Sequence, residues 1–269
     1  MARCLFSPRS SRQLSPEMVL QMKVYEMTMS EFGDHVDDSS LAILPCGIVE
    51  EHGPHLPLGT DTIQAIHMVD MLEEALEKKG HKVLVLPPVH YGQASSTRNF
   101  PGSISIEPAT LQALIHDILS ELVRNGIRNF LVLSGHAGGI HLKALDKAAY
   151  DLVEERKEKL NVMVLSDYLL AYELPGTMGI PEGDGHAGTM ETARVYEARP
   201  ELVRKEKMAG IRSSLPMPRF RIIKNHQDYL LDGVIGEPPV SGCCGMGEKM
   251  NDYLREKLLA LVQEMLEDS

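Results

Sequence analysis

Leu41-Ala-Ile-Leu-Pro-Cys46 is an unbroken apolar run, and after a polar turn residues 61–79 follow it as an amphipathic stretch. A short continuous apolar run bounded by turns suits a strand covered on both faces, as in parallel sheets packed between helices. In the stretch after it, Ile63, Ile66, His67, Val69, Leu72 and Leu76 form one helical face, and Gly80 supplies the stop. The alternation then repeats. Lys82-Val-Leu-Val-Leu-Pro87 reads as a second strand, and 107–125 as a helix ended by Asn-Gly. Asn129-Phe-Leu-Val-Leu-Ser134 reads as a third strand, 138–159 as a third helix and Asn161-Val-Met-Val-Leu-Ser166 as a fourth strand. Helices are also expected over 188–196 and 247–267. Apolar strands separated by long helices predict an α/β fold with a mostly parallel central sheet and helices on both faces.

Composition narrows the function. The chain has 269 residues and a net charge of -11, so it lacks the basic surplus that phosphates or an anionic membrane would require. No apolar run approaches the ~18 residues needed to cross a bilayer. Residues 1–23 carry Arg3, Arg9 and Arg12 without an apolar core, so they read as an extension rather than a secretory signal. One domain is expected over 24–269. Of the cysteines, Cys243 and Cys244 are adjacent, Cys4 and Cys46 are remote from them, and no Cys-x-x-Cys pair exists. This usage fits a reducing compartment, and the cytoplasm is expected.

In an open parallel sheet, sites form beyond the carboxyl ends of the strands. The polar clusters fall there. Glu50 and His52 follow the first strand, Ser95 to Gly102 the second, and Ser134-Gly-His136 the third, while Asp184-Gly-His-Ala-Gly188 lies downstream of the fourth. In extended chain, residues two apart point the same way, so Glu50 and His52 can approach one ion together. Asp61 returns at the start of the next helix. Carboxylates with imidazoles suit Zn, Mn or Fe(II), and one carboxylate can bridge two ions. His136 arrives from another strand end, and His186 and Glu191 flank a helix start. The chemistry such a set supports is hydrolysis, with cations activating a water and a side chain carrying the proton. No Gly-x-Ser-x-Gly elbow, phosphate loop or dinucleotide fingerprint is present, which leaves a nucleotide-binding oxidoreductase unsupported.

The chain closely resembles the creatininase (creatinine amidohydrolase) family from about Val24 onward. The resemblance rests on Leu44-Pro-Cys-Gly-Ile-Val-Glu-Glu-His-Gly-Pro-His-Leu-Pro-Leu-Gly-Thr-Asp61, which is long and specific. Tyr91-Gly92, Phe100-Pro-Gly102, Ser134-Gly-His136, His186-Ala-Gly-Thr-Met-Glu191 and Gly233-Val-Ile-Gly-Glu-Pro238 follow in order. It implies a three-layer α/β/α sandwich, two divalent ions (Zn, Mn or Fe(II)) and attack of bound hydroxide on a C–N bond of a small amide. It further implies that Glu50, Asp61 and His136 hold one ion and that His52 and Asp61, with a second carboxylate, hold the other. His186 would then act on substrate or leaving group, and homo-oligomers, hexamers among them, are common in the family.

Departures shape the expectation. Creatininase takes a metal-binding Glu two residues after the histidine matching His136, where this chain has Gly138; Glu191 is the expected replacement, as ligand, proton carrier or both. Ser134 and Ile140 replace family asparagines. Creatininase closes over substrate with tryptophans, and this chain has none, which points away from creatinine. Other branches hydrolyse a formamide on an opened purine-like ring or trim a redox-cofactor precursor peptide. The alternatives are therefore such a peptidase, or a decayed binding protein in which Glu191 would point away from the cluster. His35, His67, His81, His116 and His226 are expected as structural, while His55, His90 and His141 are weaker candidates for supporting roles. Glu51 is expected as a solvated or supporting neighbour, and Ser95 and Ser96 as pocket lining or plain loop.

Overall fold

The computed structural model describes residues 23–171, 173–174, 178–181, 183–213, 231–236, 239 and 245–267. Its strands are β1 (Leu41–Cys46), β2 (Val83–Val85), β3 (Asn129–Ser134) and β4 (Asn161–Ser166). They form one parallel sheet in the order β2-β1-β3-β4. The helices are α1 (Met29–His35), α2 (Thr60–Glu77), α3 (Pro108–Arg124), α4 (Gly139–Glu155), α5 (Asp167–Ala171), α6 (Thr189–Ala198) and α7 (Met246–Glu267).

Alternation along β1 builds the layers. Leu41 and Ile43 join Leu131 and Leu133 of β3 on one face, under Met68, Val69, Leu72 and Leu76 of α2 and Met250, Leu254, Leu258 and Val262 of α7. Ala42, Leu44 and Cys46 join Phe130 and Val132 on the other, under Leu111, Ile115 and Leu119 of α3 and Leu145, Ala148 and Leu152 of α4. The result is the expected three-layer α/β/α arrangement. Pro45 is tolerated inside a central strand for a local reason. Its carbonyl accepts the Val89 N–H, so its own nitrogen faces the side that β2 has already left.

The strand order places the site. From β1 the chain crosses by α2 to β2 on one side, whereas from β3 it crosses by α4 to β4 on the other. The loops after β1 and β3 therefore diverge and leave a crevice between them, the position where open α/β sheets bind ligands.

Several expectations change. The expected face of α2 is rotated: Ile63 is half-buried and Ile66 is exposed, on the rim of a groove with Tyr25, Pro87 and Pro88, whereas Ala65 and Met68 are buried. Helix α4 ends at Glu155 rather than near 159. Helix α1, absent from the sequence reading, starts at a capping box: Thr28 Oγ1 accepts the Glu31 N–H and Glu31 Oε2 accepts the Thr28 N–H. Helix α5 was also missed, being too short to show periodicity.

Candidate metal centre

The chain leaves β1, passes through Glu50 and His52, turns at Gly53 (φ +65°) and returns at α2 with Asp61 in its first turn. Asp61 is inside the helix; the N-cap is Gly59, and no side chain caps it. From β3, Gly135 passes directly over the Asp61 carbonyl, where a Cβ would overlap the backbone, and this closeness delivers His136 to the same point. Glu50, His52, Asp61 and Glu191 are all buried.

The five expected ligands and His186 converge. His136 Nδ1 lies 2.8 Å from Glu50 Oε1 and 3.3 Å from Asp61 Oδ2. His52 Nε2 lies 3.2 Å from Asp61 Oδ1 and 3.8 Å from Glu191 Oε2. Asp61 thus turns one oxygen to each histidine. Three overlapping groups have donor atoms close enough to share an ion: Glu50–Asp61–His136, His52–Asp61–Glu191 and Glu50–His52–His186. Among the described residues, buried Glu50 Oε1 and Asp61 Oδ2 have no hydrogen-bond partner, although imidazole nitrogens stand close by. Donor atoms that approach without aligning on one another suit a shared cation at the point of convergence.

Neighbouring groups set each ligand's orientation. His52 Nδ1 donates to the Glu50 carbonyl at 3.2 Å, which leaves Nε2 as the donor atom facing Asp61 and Glu191. Buried Thr97 donates its hydroxyl to Glu50 Oε2, so Oε1 alone faces His136. Ser134, the last residue of β3, donates to the His136 carbonyl and accepts the His136 N–H. Its single proton being spent, His141 Nε2 must donate to it, while His141 Nδ1 accepts the Gln93 N–H. His141 is therefore neutral, and burial lowers its pKa to about 3. His55 Nε2 bonds Thr192, one residue beyond Glu191; burial, then His52, lowers its pKa to about 4.

Without cations the cluster is held by charge. Burial opposes a charged His52, but Asp61 and then Glu191 outweigh it and raise its pKa to about 10. His136 is likewise raised, its burial outweighed by Glu50 and Asp61. Burial opposes the charge of Asp61 too, yet His52 and His136 hold it below the usual carboxylate range. Glu191 is raised by burial, which His52 and His186 only partly offset.

Glu191 stands on the first turn of α6, with Oε2 taking the Ala187 N–H at 2.6 Å. Ala187 adopts φ +55°, a left-handed conformation that residues with a Cβ rarely take. Asp184 fixes the same turn by accepting the N–H groups of Thr189 and Met190. At Gly138 the backbone is ordinary (φ -60°, ψ 121°), but any Cβ would overlap His136 Nε2. The His136 ring occupies the place of a side chain there.

Thr97 escaped sequence reading; His141, a candidate for a supporting role, takes one through a pairing with Ser134 that no local pattern announces. Thr97 lies in the polar stretch flagged after β2, but Ser95 and Ser96 drew the attention; Ser95 is exposed and bonds Gln93 instead. Glu51 is buried rather than solvated. His35, His67, His81 and His116 belong to none of the three ligand groups. His226, Cys4, Cys243 and Cys244 lie outside the described residues, as do Glu237 and Pro238.

A parallel α/β sheet with a buried imidazole–carboxylate cluster at its switch point marks the class of metal-dependent α/β hydrolases. The model of the Creatininase family, creatinine amidohydrolase, matches residues 25–262, and the chain belongs to that family. The mycofactocin precursor peptide peptidase of Mycolicibacterium smegmatis is 29% identical over 185 residues, covering 67% of this chain and 68% of the relative. The creatinine amidohydrolase of Pseudomonas putida is 27% identical over 194 residues, covering 67% and 73%. A crystal structure of creatininase superposes with a TM-score of 0.79 at 23% identity, over 91% of this chain and 98% of that one. Creatininase has also been solved in a manganese form and, as a mutant, in a Zn–Zn form.

Proposed function

We propose that this enzyme hydrolyses a C–N bond of a small amide, of the cyclic amide or formamide class, at a two-cation centre. One observation carries the reading: Asp61 presents Oδ1 at 3.2 Å from His52 Nε2 and Oδ2 at 3.3 Å from His136 Nδ1. Glu50, Asp61 and His136 would hold one divalent ion; His52, Asp61 and Glu191 would hold the other. Zn, Mn and Fe(II) all fit these donors. Such ions, when bound, lower the pKa of a water and polarise a carbonyl oxygen.

The chain's own residues do the rest. Thr97 and the Glu50 carbonyl fix Glu50 and His52 in place. Burial of Glu50, His52, Asp61 and Glu191 keeps bulk water from the ligand atoms, while His136 and His186 keep side-chain exposures of 12% and 16%. Substrate would therefore reach the cluster from the side on which these rings are exposed. His186, beside the cluster, moves the proton to the leaving nitrogen. The inward orientation of Glu191 favours this reading over a decayed binding protein.

A second reading, cleavage of a peptide bond in a cofactor-precursor peptide, is favoured by the similarity to mycofactocin precursor peptide peptidase. Metal-reconstituted protein screened against lactams, formamides and short peptides separates the two. Elemental analysis should find about two ions per chain, and Asp61→Asn should lose both ions and the activity. Bound metal near zero, with no gain from added Mn, Zn or Fe, would overturn the proposal. Among the described residues no helix is long and apolar enough to cross a membrane. Cytoplasmic residence and a homo-oligomer, a hexamer included, remain part of the proposal, the latter read by sedimentation.

A further inference from the structure

Asn161-Val-Met-Val-Leu-Ser166, as β4, forms one edge of the sheet. Among the described residues its only strand neighbour is β3. The Asn161 N–H bonds the Arg128 carbonyl, just before β3, so Asn161, Met163 and Leu165 turn their backbone groups to β3. The N–H and C=O groups of Val162 and Val164 therefore point outward. The opposite edge is protected. There β2 has three residues, Lys23 bridges Val85, and Asp70 and Glu73 hold the Lys23 ammonium. By contrast β4 has six residues, pairs with β3 without a bulge, and contains no charge, proline or glycine. It lacks the devices by which sheet edges avoid pairing.

Apolar side chains flank this edge on both faces. Val162 and Val164 line a pocket with Ala149, Tyr150 and Val153 of α4, beside Asp146. Tyr150 is 62% exposed and Val153 40%. Met163 and Leu165, on the other face, are half-buried.

We infer that β4 is the seam of a two-fold homodimer, pairing antiparallel with β4 of a second copy across an axis at Met163. This gives the proposed homo-oligomer one specific contact and does not depend on the substrate. A two-fold axis normal to the sheet reverses the strand, keeps each face on its own side and sets residues of like parity opposite one another. Outward-facing Val162 then meets outward-facing Val164 of the second copy, and each such pair exchanges both backbone bonds. An axis at Val164 would need Ser166 in the seam, but Ser166 is buried and leads directly into α5. Among the described residues no other strand offers a free edge of this length, since β1 and β3 lie inside the sheet. A stable dimer draws roughly 800 Å² from each copy, more than a strand alone supplies, and the α4 turns carrying Tyr150 and Val153 extend the patch.

The test uses the metal-reconstituted full chain. Sedimentation equilibrium should find a dimer or an even multiple of it. Val164→Pro removes an outward N–H and leaves the bonds to β3, a change that edge strands tolerate; it should halve the mass, with the dimer weakened on the order of 100-fold. Tyr150→Lys sets like charges across the seam and should act in the same direction; if Val164→Pro does not fold, Tyr150→Lys decides. Met163→Cys should link two copies covalently at position 163 on mild oxidation, because backbones at such a non-hydrogen-bonded pair lie about 4.5 Å apart, within disulfide reach. No link at 163, or an oligomer whose mass neither Val164→Pro nor Tyr150→Lys lowers, overturns the seam alone. A monomeric wild type overturns the homo-oligomer with it. Hydrogen exchange separates the possible occupants. The Val162 and Val164 amides should be protected in the dimer and lose that protection in Tyr150→Lys. Protection that persists in a monomer means that another segment of the chain covers the edge, and it overturns the inference.

Discussion

Thr97 shows how much depends on one hydroxyl. It turns Glu50 from a carboxylate with two competing oxygens into a ligand with one free oxygen. Thr97→Val keeps the shape and removes the donor. The affinity for the ion proposed at Glu50, Asp61 and His136 should fall roughly 10- to 100-fold, as for other partners of metal ligands, with the second ion less affected. Competition with a chelator reads both affinities. Glu50, His52 and Asp61 were legible at this scale because they share one short motif. Thr97 was not, because its role arises from a contact 47 residues away in sequence.

At the scale of elements, α6 carries Glu191 and must be held at a fixed height above the sheet. Two devices do so. Asp184 accepts two first-turn N–H groups at 2.6 and 3.0 Å. Asp184→Ala should destabilise the fold by about 1 kcal/mol, the usual worth of a helix cap, and should weaken binding of the ion proposed at His52 and Glu191. Thermal melts and metal titration check the two effects. Below it, fully buried Arg194 joins α6 to α5 and α7 by bonds to Asp167 and Asn251. Arg194→Ala strands a buried carboxylate and should cost about 3–5 kcal/mol in denaturant unfolding. The apolar patterns announced β1, β3 and β4 at their observed bounds, since continuous runs bounded by polar residues allow little slippage. The face of α2 was misjudged because hydrophobicity alone does not say which neighbours cover a helix; Ile66 looks apolar but faces a groove.

For the whole molecule, the cluster ties stability to pH and metal. His52 has a folded pKa of about 10, above its ordinary 6.5. A raised pKa means that the protonated form favours folding. That contribution is complete below about 6.5 and is lost as pH rises through about 10. His136 acts in the same direction. His55 and His141 act oppositely: folded pKa values of about 4 and about 3 cost stability as pH falls below 6.5. The metal-free protein should therefore melt at falling temperature between pH 7 and pH 10, while the metal-loaded protein, with cations replacing those protons, should not. Loading at pH 7 should release about two protons, one each from His52 and His136. Calorimetry in buffers of different ionisation enthalpy counts them, and a count near zero contradicts the charge state described above.

The amino-acid sequence by itself determined the layered parallel architecture and the motif residues Glu50, His52, Asp61 and His136. Both are written in local order: strand runs and helix stripes in their periodicity, and the ligands just past strand ends. Only the tertiary structure decided which oxygen of Asp61 meets which histidine, that the expected Glu191 turns inward to reach the cluster, and that Thr97 comes to Glu50. These depend on separate segments brought together by the crossings of the sheet. A side chain's partners across such a crossing are set by packing in three dimensions, which leaves no periodic trace along the chain.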